Sequence, residues 1–301
     1  MAGGHAERQL AAEPTPRLDG KEAHGAVTVP DGMAMTQSHV MRAADAFVSA
    51  PGGRLFVRTW GERDTVSVPI VLLHDSLGSV ELWRDLPARL ATATRRPVIA
   101  YDRLGFGRSD PHPGPQPLSF VDAEAQTGLA AVRAALGIDR MVLFGHSVGG
   151  GLAIAAAAQL PDATAAVIAE SAQAFVEDRI LTRLRAVKPH FEAPAQRQRL
   201  ARYHGDKAQW ILDSWFGTWL APDFAGWALD AHLRRLRCPV LAMHGDRDEY
   251  GSLAHAQRIV DLASAPATMV VVRDCGHIPH REKPERVLHN VKRFLRSHEA
   301  S

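Results

Sequence analysis

The sequence predicts an α/β protein: a mainly parallel sheet with helices on both faces. Three observations carry this expectation. From Arg54 onward, strand-like and helix-like segments alternate, the order that sets strands side by side with crossover helices above and below. Several of the strand-like segments are short continuous apolar runs, as strands buried on both faces require. The 301 residues, 46% hydrophobic and 23% charged, have ordinary globular composition and suffice for one large α/β domain.

The elements follow in order. RLFVRTW (54–60) alternates as a half-buried strand should. PIVLLH (69–74) is a buried strand, and ELWRDLPARLATA after it reads as helix. PVIAYD (97–102) is the next buried strand. VDAEAQTGLAAVRAALG reads as helix and ends at Gly137, a residue suited to a left-handed C-terminal cap. RMVLFG is a strand, VGGGLAIAAAAQL a helix and ATAAVIAE a strand. Later, PVLAMHG, SLAHAQRIVDLA, ATMVVVRD and RVLHNVKRFLRSH continue strand, helix, strand, helix.

Two regions break the rhythm. Residues 1–45 lack periodicity, carry three prolines before position 31 and have no apolar core of a secretory signal, so they read as a disordered tail. Met33, Met35 and Met41 lie within it, and a translation start at one of them would remove most of the tail. Residues 176–234 lack strand signals and read as a helical insertion between two core segments, 46–175 and 235–299. Four of the six Trp fall there: Trp210, Trp215, Trp219 and Trp227, with Phe216 and Phe224 between them. Such aromatics could form a small core of their own. The favoured reading is a lid, because insertions after the strands of such a sheet sit over the ligand end. Trp215 and Trp219, spaced i and i+4, would then share the face that lines the substrate pocket. The arginines of this region, Arg179, Arg183, Arg185, Arg197, Arg199 and Arg202, read as a solvated helix face rather than an anion site.

Bulk properties narrow the function. A formal net charge of +2 makes no electrostatic case for nucleic acid or a membrane surface, and no apolar run reaches the roughly 18 residues of a membrane span. Cys238 and Cys275 fall at opposite ends of neighbouring strands, on the order of 15 Å apart, too far to bond. A cytoplasmic setting is the default that follows. The sequence does not set an oligomeric state.

The chemistry enters at VLFGHSVGGG. Gly145-His146-Ser147-Val148-Gly149 is a G-x-S-x-G pattern placed where a strand becomes a helix, the context a strained nucleophile turn requires. A serine needs a base, and histidine is suited near neutral pH. Of fifteen histidines, His277 follows the last strand in DCGHIPHREKP, with His280 as competitor. His244 ends a strand and is expected to pack within the sheet. The acid that orients the base could be Asp246, Asp248 or Glu249 in HGDRDEYG (244–251), or Glu170. His146, beside the nucleophile, joins Trp215 and Trp219 as a pocket residue. HIPH (277–280) offers two histidines without a third ligand, so no metal is expected.

The chain order Ser, Asp, His is that of α/β-hydrolases. Over nearly all of residues 46–299 the sequence resembles that superfamily, through HDSLGS (74–79), YDRLGFGRSD (101–110), GHSVGG (145–150), HGDRDEYG (244–251) and CGHIPHREKP (275–284). The resemblance implies the α/β-hydrolase fold, Asp248 as acid, His277 as base and residues 176–234 as the cap. It implies oxyanion donors at the N–H of Val148 and in an H-G-x loop. In that loop Asp75 stands where the family has glycine, so the second donor by position is Ser76, and a carboxylate there would be unwelcome beside an oxyanion unless it points away. Asp102 is expected to organise its loop. The implied activity is cleavage of a small-molecule carboxylic ester, lactone or thioester through an acyl-enzyme on Ser147, without a cofactor. Carbon–carbon bond hydrolysis of the meta-cleavage type, cofactor-free perhydrolysis and a hydrolase-fold ligand receptor are the alternatives. Dehalogenase and epoxide hydrolase relatives use an aspartate nucleophile, which Ser147 argues against.

Overall fold

The computed structural model describes residues 43–62 and 67–298. The strands are β1 (Ala43–Ala50), β2 (Gly53–Trp60), β3 (Ile70–Leu73), β4 (Val98–Tyr101), β5 (Met141–His146), β6 (Thr164–Glu170), β7 (Val240–Gly245) and β8 (Ala267–Val272). They form one sheet in the order β1-β2-β4-β3-β5-β6-β7-β8. β1 and β2 run antiparallel to each other, as do β2 and β4. From β4 to β8 every neighbouring pair is parallel. This is the α/β-hydrolase fold, a mainly parallel sheet flanked by helices.

The two faces of the sheet follow from strand alternation. Val71, Leu73, Ile99, Tyr101, Leu143 and Val167 face one apolar core. Ile70, Leu72, Val98, Ala100, Val142 and Phe144 face the other. Helices α1 (Leu86–Thr94) and α8 (Pro284–Ser297) cover the second face through residues such as Leu90 and Val291. The first face carries α2 (Gly128–Leu136), α3 (Val148–Gln159) and α7 (Ala254–Leu262). α3 is buried from Val148 through Ala158. Its alanines and glycines bring it close to the sheet, as expected of a helix apolar all round.

The insertion is helical: α4 (Asp178–Glu192), α5 (Pro194–His204) and α6 (Ala208–Trp219), entered and left beside an isolated bridge between Phe175 and Ala228. Its aromatics do pack on one another. Trp215 meets Phe191, Phe216 and Tyr250, and Trp219 meets Phe224 and Trp227. Arg179, Arg185, Arg197 and Arg202 are exposed.

Three local expectations change. β1 begins at Ala43, inside the segment read as tail; Ala43, Ala44 and Asp45 pair with Trp60, Thr59 and Arg58. This edge strand buries only Val48, so its sequence carries no alternation of apolar and polar residues to read. The rest of the expected tail, residues 1–42, lies outside the described residues. The helix expected over ELWRDLPARLATA starts as a 3₁₀ turn, Val80–Trp83, before α1. The helix expected from Val121 is interrupted between a short turn, Phe120–Ala123, and α2. There Gly128 packs against the Glu124 carboxylate, which a Cβ would meet at 2.1 Å. Gly137 caps α2 with φ 58. Cys238 and Cys275 are buried and unbonded. Among the described residues no helix is long and apolar enough to cross a membrane.

Candidate active site

The strand-to-helix turn at Ser147 is strained by construction. Ser147 has φ 56 and ψ −125, a conformation costing on the order of 1–3 kcal/mol for a residue with a side chain. Its N–H donates to the Glu170 carbonyl at 2.8 Å, which holds the turn to the end of β6. The flanking glycines are required by contact. A Cβ at Gly145 would sit 1.9 Å from the Gly149 carbonyl oxygen, and one at Gly149 would sit 2.0 Å from that of Leu73.

Three loops converge on this turn. Ser147 Oγ lies 3.0 Å from His277 Nε2, and His277 Nδ1 lies 2.8 Å from Asp248 Oδ2. Asp248 Oδ1 accepts the N–H groups of Tyr250 and Gly251 at 2.8 and 3.2 Å. All three side chains are buried. Burial alone would lower the His277 pKa, but the charge and hydrogen bond of Asp248, helped by Glu249 and Asp75, raise it to about 9. Burial would raise Asp248, yet His277 and His244 together hold it well below the usual carboxylate range. His244 is a partner the sequence reading missed: its Nε2 lies 3.1 Å from Asp248 Oδ2. The i, i+4 spacing in HGDRD was the available signal. Asp246 instead accepts the Cys275 N–H at 3.3 Å.

The Val148 N–H opens α3, where no carbonyl stands one turn earlier to accept it. Ser76 borders the same small cavity from the loop after β3. In that loop Asp75 Oδ1 accepts the Leu77 N–H at 2.7 Å, and Oδ2 lies 3.3 Å from His146 Nδ1. Burial pushes the Asp75 carboxyl upward, but the hydrogen bond and charge of His146 outweigh it, so the group is held well below its ordinary value.

The cavity over Ser147 is about 20 Å³. Besides Ser76 it is bordered by Gln173, Ile180, Trp215, Trp219 and Tyr250. Trp215 and Trp219 therefore do share the face turned to the nucleophile. Gln173, three residues past β6, was not anticipated; its Oε1 accepts from Ser147 Oγ at 3.2 Å. Its position just beyond the carboxyl end of a central strand was the signal for it.

His146 is not at the cavity. Strand alternation turns it to the opposite side from Ser147. There its Nε2 donates to the His277 carbonyl at 2.8 Å, and its ring packs against Trp83 and His280. The ligand-type atoms of His146, Glu170 and His280 lie within 4.8 Å of one another. Both His146 nitrogens face oxygen partners outside this trio, and within it His280 Nδ1 meets Glu170 Oε2 at 2.5 Å. Asp102 organises its loop by accepting the N–H groups of Val80 and Arg108 at 2.6 and 2.8 Å.

A hydroxyl, an imidazole and a carboxylate in series can pass a proton from an oxygen nucleophile to a base.

Residues 70–290 match the model of the "Alpha/beta hydrolase family". The human protein named 1-acylglycerol-3-phosphate O-acyltransferase ABHD5 is 34% identical over 110 residues, 36% of this chain and 31% of its own length. A (Lyso)-N-acylphosphatidylethanolamine lipase from Bos taurus is 36% identical over 94 residues, 31% of this chain and 27% of its own. The chain thus spans about a third or less of these curated relatives. The solved structure of a meta-cleavage product hydrolase from Pseudomonas fluorescens aligns with a TM-score of 0.66 at 23% identity, covering 85% of this chain and 98% of that one. At that identity the likeness concerns the fold.

Proposed function

The chain belongs to the alpha/beta hydrolase family, and from that premise we propose that it is a serine hydrolase acting on a small-molecule carboxylic ester, lactone or thioester. The observation that carries this reading is the unbroken series Ser147 Oγ, His277 and Asp248, with contacts of 3.0 and 2.8 Å. Relatives named as a lipase and an acyltransferase support chemistry at an acyl group.

In this reading Ser147 Oγ attacks the acyl carbon as its proton passes to His277 Nε2. Asp248 holds the ring with Nδ1–H toward the carboxylate and stabilises the imidazolium that forms. The N–H groups of Val148 and Ser76 take the negative charge that develops on the carbonyl oxygen. His277 returns its proton to the leaving oxygen or sulfur as the carbon–heteroatom bond breaks. Water, deprotonated by the same Nε2, then cleaves the acyl-enzyme and regenerates Ser147. Residues 176–234 act as the cap, with Trp215 and Trp219 bounding the acyl group.

The test is an ester panel of increasing acyl length, run on the wild type and on Ser147→Ala, with a serine-directed fluorophosphonate as covalent probe. Turnover and Ser147 labelling are expected in the wild type and neither in the variant. An active Ser147→Ala protein, or labelling at another residue, overturns the reading. Stoichiometric ligand capture without turnover would instead favour a receptor.

A further inference from the structure

Asp75 is an awkward residue for its place. It borders the cavity that holds Ser147, immediately before the proposed oxyanion donor Ser76, and a free carboxylate there would repel a developing oxyanion. The structure gives each of its oxygens a task. Oδ1 accepts the Leu77 N–H at 2.7 Å, which folds residues 75–77 into a tight local turn. The turn is closed by the Gly78 N–H donating to the Asp75 carbonyl at 3.2 Å. Oδ2 faces His146 Nδ1 at 3.3 Å.

His146 is equally committed. It is the last residue of β5, directly before Ser147, and it is 1% exposed. Its Nε2 donates to the His277 carbonyl at 2.8 Å. With an oxygen partner at each ring nitrogen, the ring meets Asp75 and the His277 carbonyl at once. Trp83 and His280 close around the ring, with centroids 6.4 and 4.9 Å away, so it has no alternative partner in water.

Resting on the serine-hydrolase reading above, we propose that Asp75 and His146 form a buried brace that positions the oxyanion donor Ser76 and the base His277 relative to Ser147. One carboxylate and one imidazole connect the loop after β3, the end of β5 and the loop after β8. The loops carrying the donor and the base come from strands far apart in the sheet order, so the sheet's own hydrogen bonds do not set their spacing. The brace does. Neither residue touches the reacting atoms; both are positioning residues. Displacing a reacting group by about 1 Å can cost on the order of a hundredfold in rate, so the brace acts on kcat.

The experiment is a double-mutant cycle on the full chain with a short-chain p-nitrophenyl ester. Asp75→Asn keeps an oxygen for Leu77 but removes the charge facing His146. His146→Gln keeps a donor for the His277 carbonyl but loses the Nδ1 contact. Each variant is expected to lose about tenfold to a hundredfold in kcat, with KM within about twofold, while the double variant is no worse than the worse single one. Fluorophosphonate labelling of Ser147 should slow in parallel. Full kcat in Asp75→Asn, losses that multiply in the double variant, or a change confined to KM would overturn the brace. Should His146→Gln not fold, kcat and labelling rate of Asp75→Asn decide alone. Failure of the underlying reading is separate: it shows as turnover surviving in Ser147→Ala.

Discussion

Glu170 Oε2 lies 2.5 Å from His280 Nδ1, so the two side chains that could have replaced Asp248 and His277 pair with each other. Their pairing leaves Asp248 as the carboxylate on His277. It also separates three acids by measurement. Asp248→Asn is expected to lower kcat by about a thousandfold or more, through the wrong His277 tautomer, with circular dichroism unchanged. Asp246→Asn and Glu170→Gln are expected to stay within about tenfold. A severe Glu170→Gln defect with mild Asp248→Asn would reassign the acid.

Ser147 supports a second prediction, on stability. At φ 56 and ψ −125 its side chain is strained in a region glycine enters freely. Ser147→Gly is therefore expected to abolish turnover and raise the melting temperature, by about 2–4 °C if one kcal/mol of strain is released. Ser147→Ala should lose activity without that gain. Equal melting temperatures for the two variants would show that the turn is relaxed.

A third prediction follows from protonation. His277 must be neutral to accept the Ser147 proton. Because its folded value is raised from 6.5 to about 9, kcat/KM is expected to climb through about pH 9 rather than near 6.5. In Asp248→Asn the residual activity should rise at lower pH. The same shift bears on folding: the contribution of His277 is full below about 6.5 and is lost as pH rises through about 9. Melting temperature in the wild type should fall more between those values than in His277→Gln. A kcat/KM midpoint at 6.5 would contradict the influence of Asp248.

The tryptophans carry the fourth. Trp215 and Trp219 both border the cavity and both pack in aromatic clusters. Each Trp→Ala change is expected to move the preferred ester toward longer acyl groups and to destabilise the fold by about 3 kcal/mol. An unchanged chain-length profile with lowered melting temperature would assign them to the insertion's core alone.

What the sequence disclosed depended on burial. β3, β4 and β5 are short, fully buried runs, and their apolar continuity makes them readable. β1 is an edge strand that buries only Val48 and leaves Phe47 exposed, so no alternation of apolar and polar residues marks it. The same contrast governs the site. Ser147 and its glycines form a contiguous pattern and His244 stands four residues from Asp248, whereas Gln173 reaches Ser147 through tertiary proximity. His146 was misplaced because adjacency to Ser147 in sequence means opposite orientation at the end of a strand. Asp75 was recognised as unusual, but its partner could be known only once β3 and β5 were neighbours.

The small cavity over Ser147 has a thermodynamic consequence. About 20 Å³ accommodates roughly one water molecule, so under the ester-hydrolase reading substrate binding is expected to require a shift of the helices bearing Ile180, Trp215 and Trp219. Binding is then coupled to a conformational pre-equilibrium, and every apparent dissociation constant is the intrinsic one divided by the open fraction. That fraction is a property of the protein, common to all substrates. A substitution that loosens α6 without touching the cavity should lower KM for short and long esters by the same factor and leave their ranking intact.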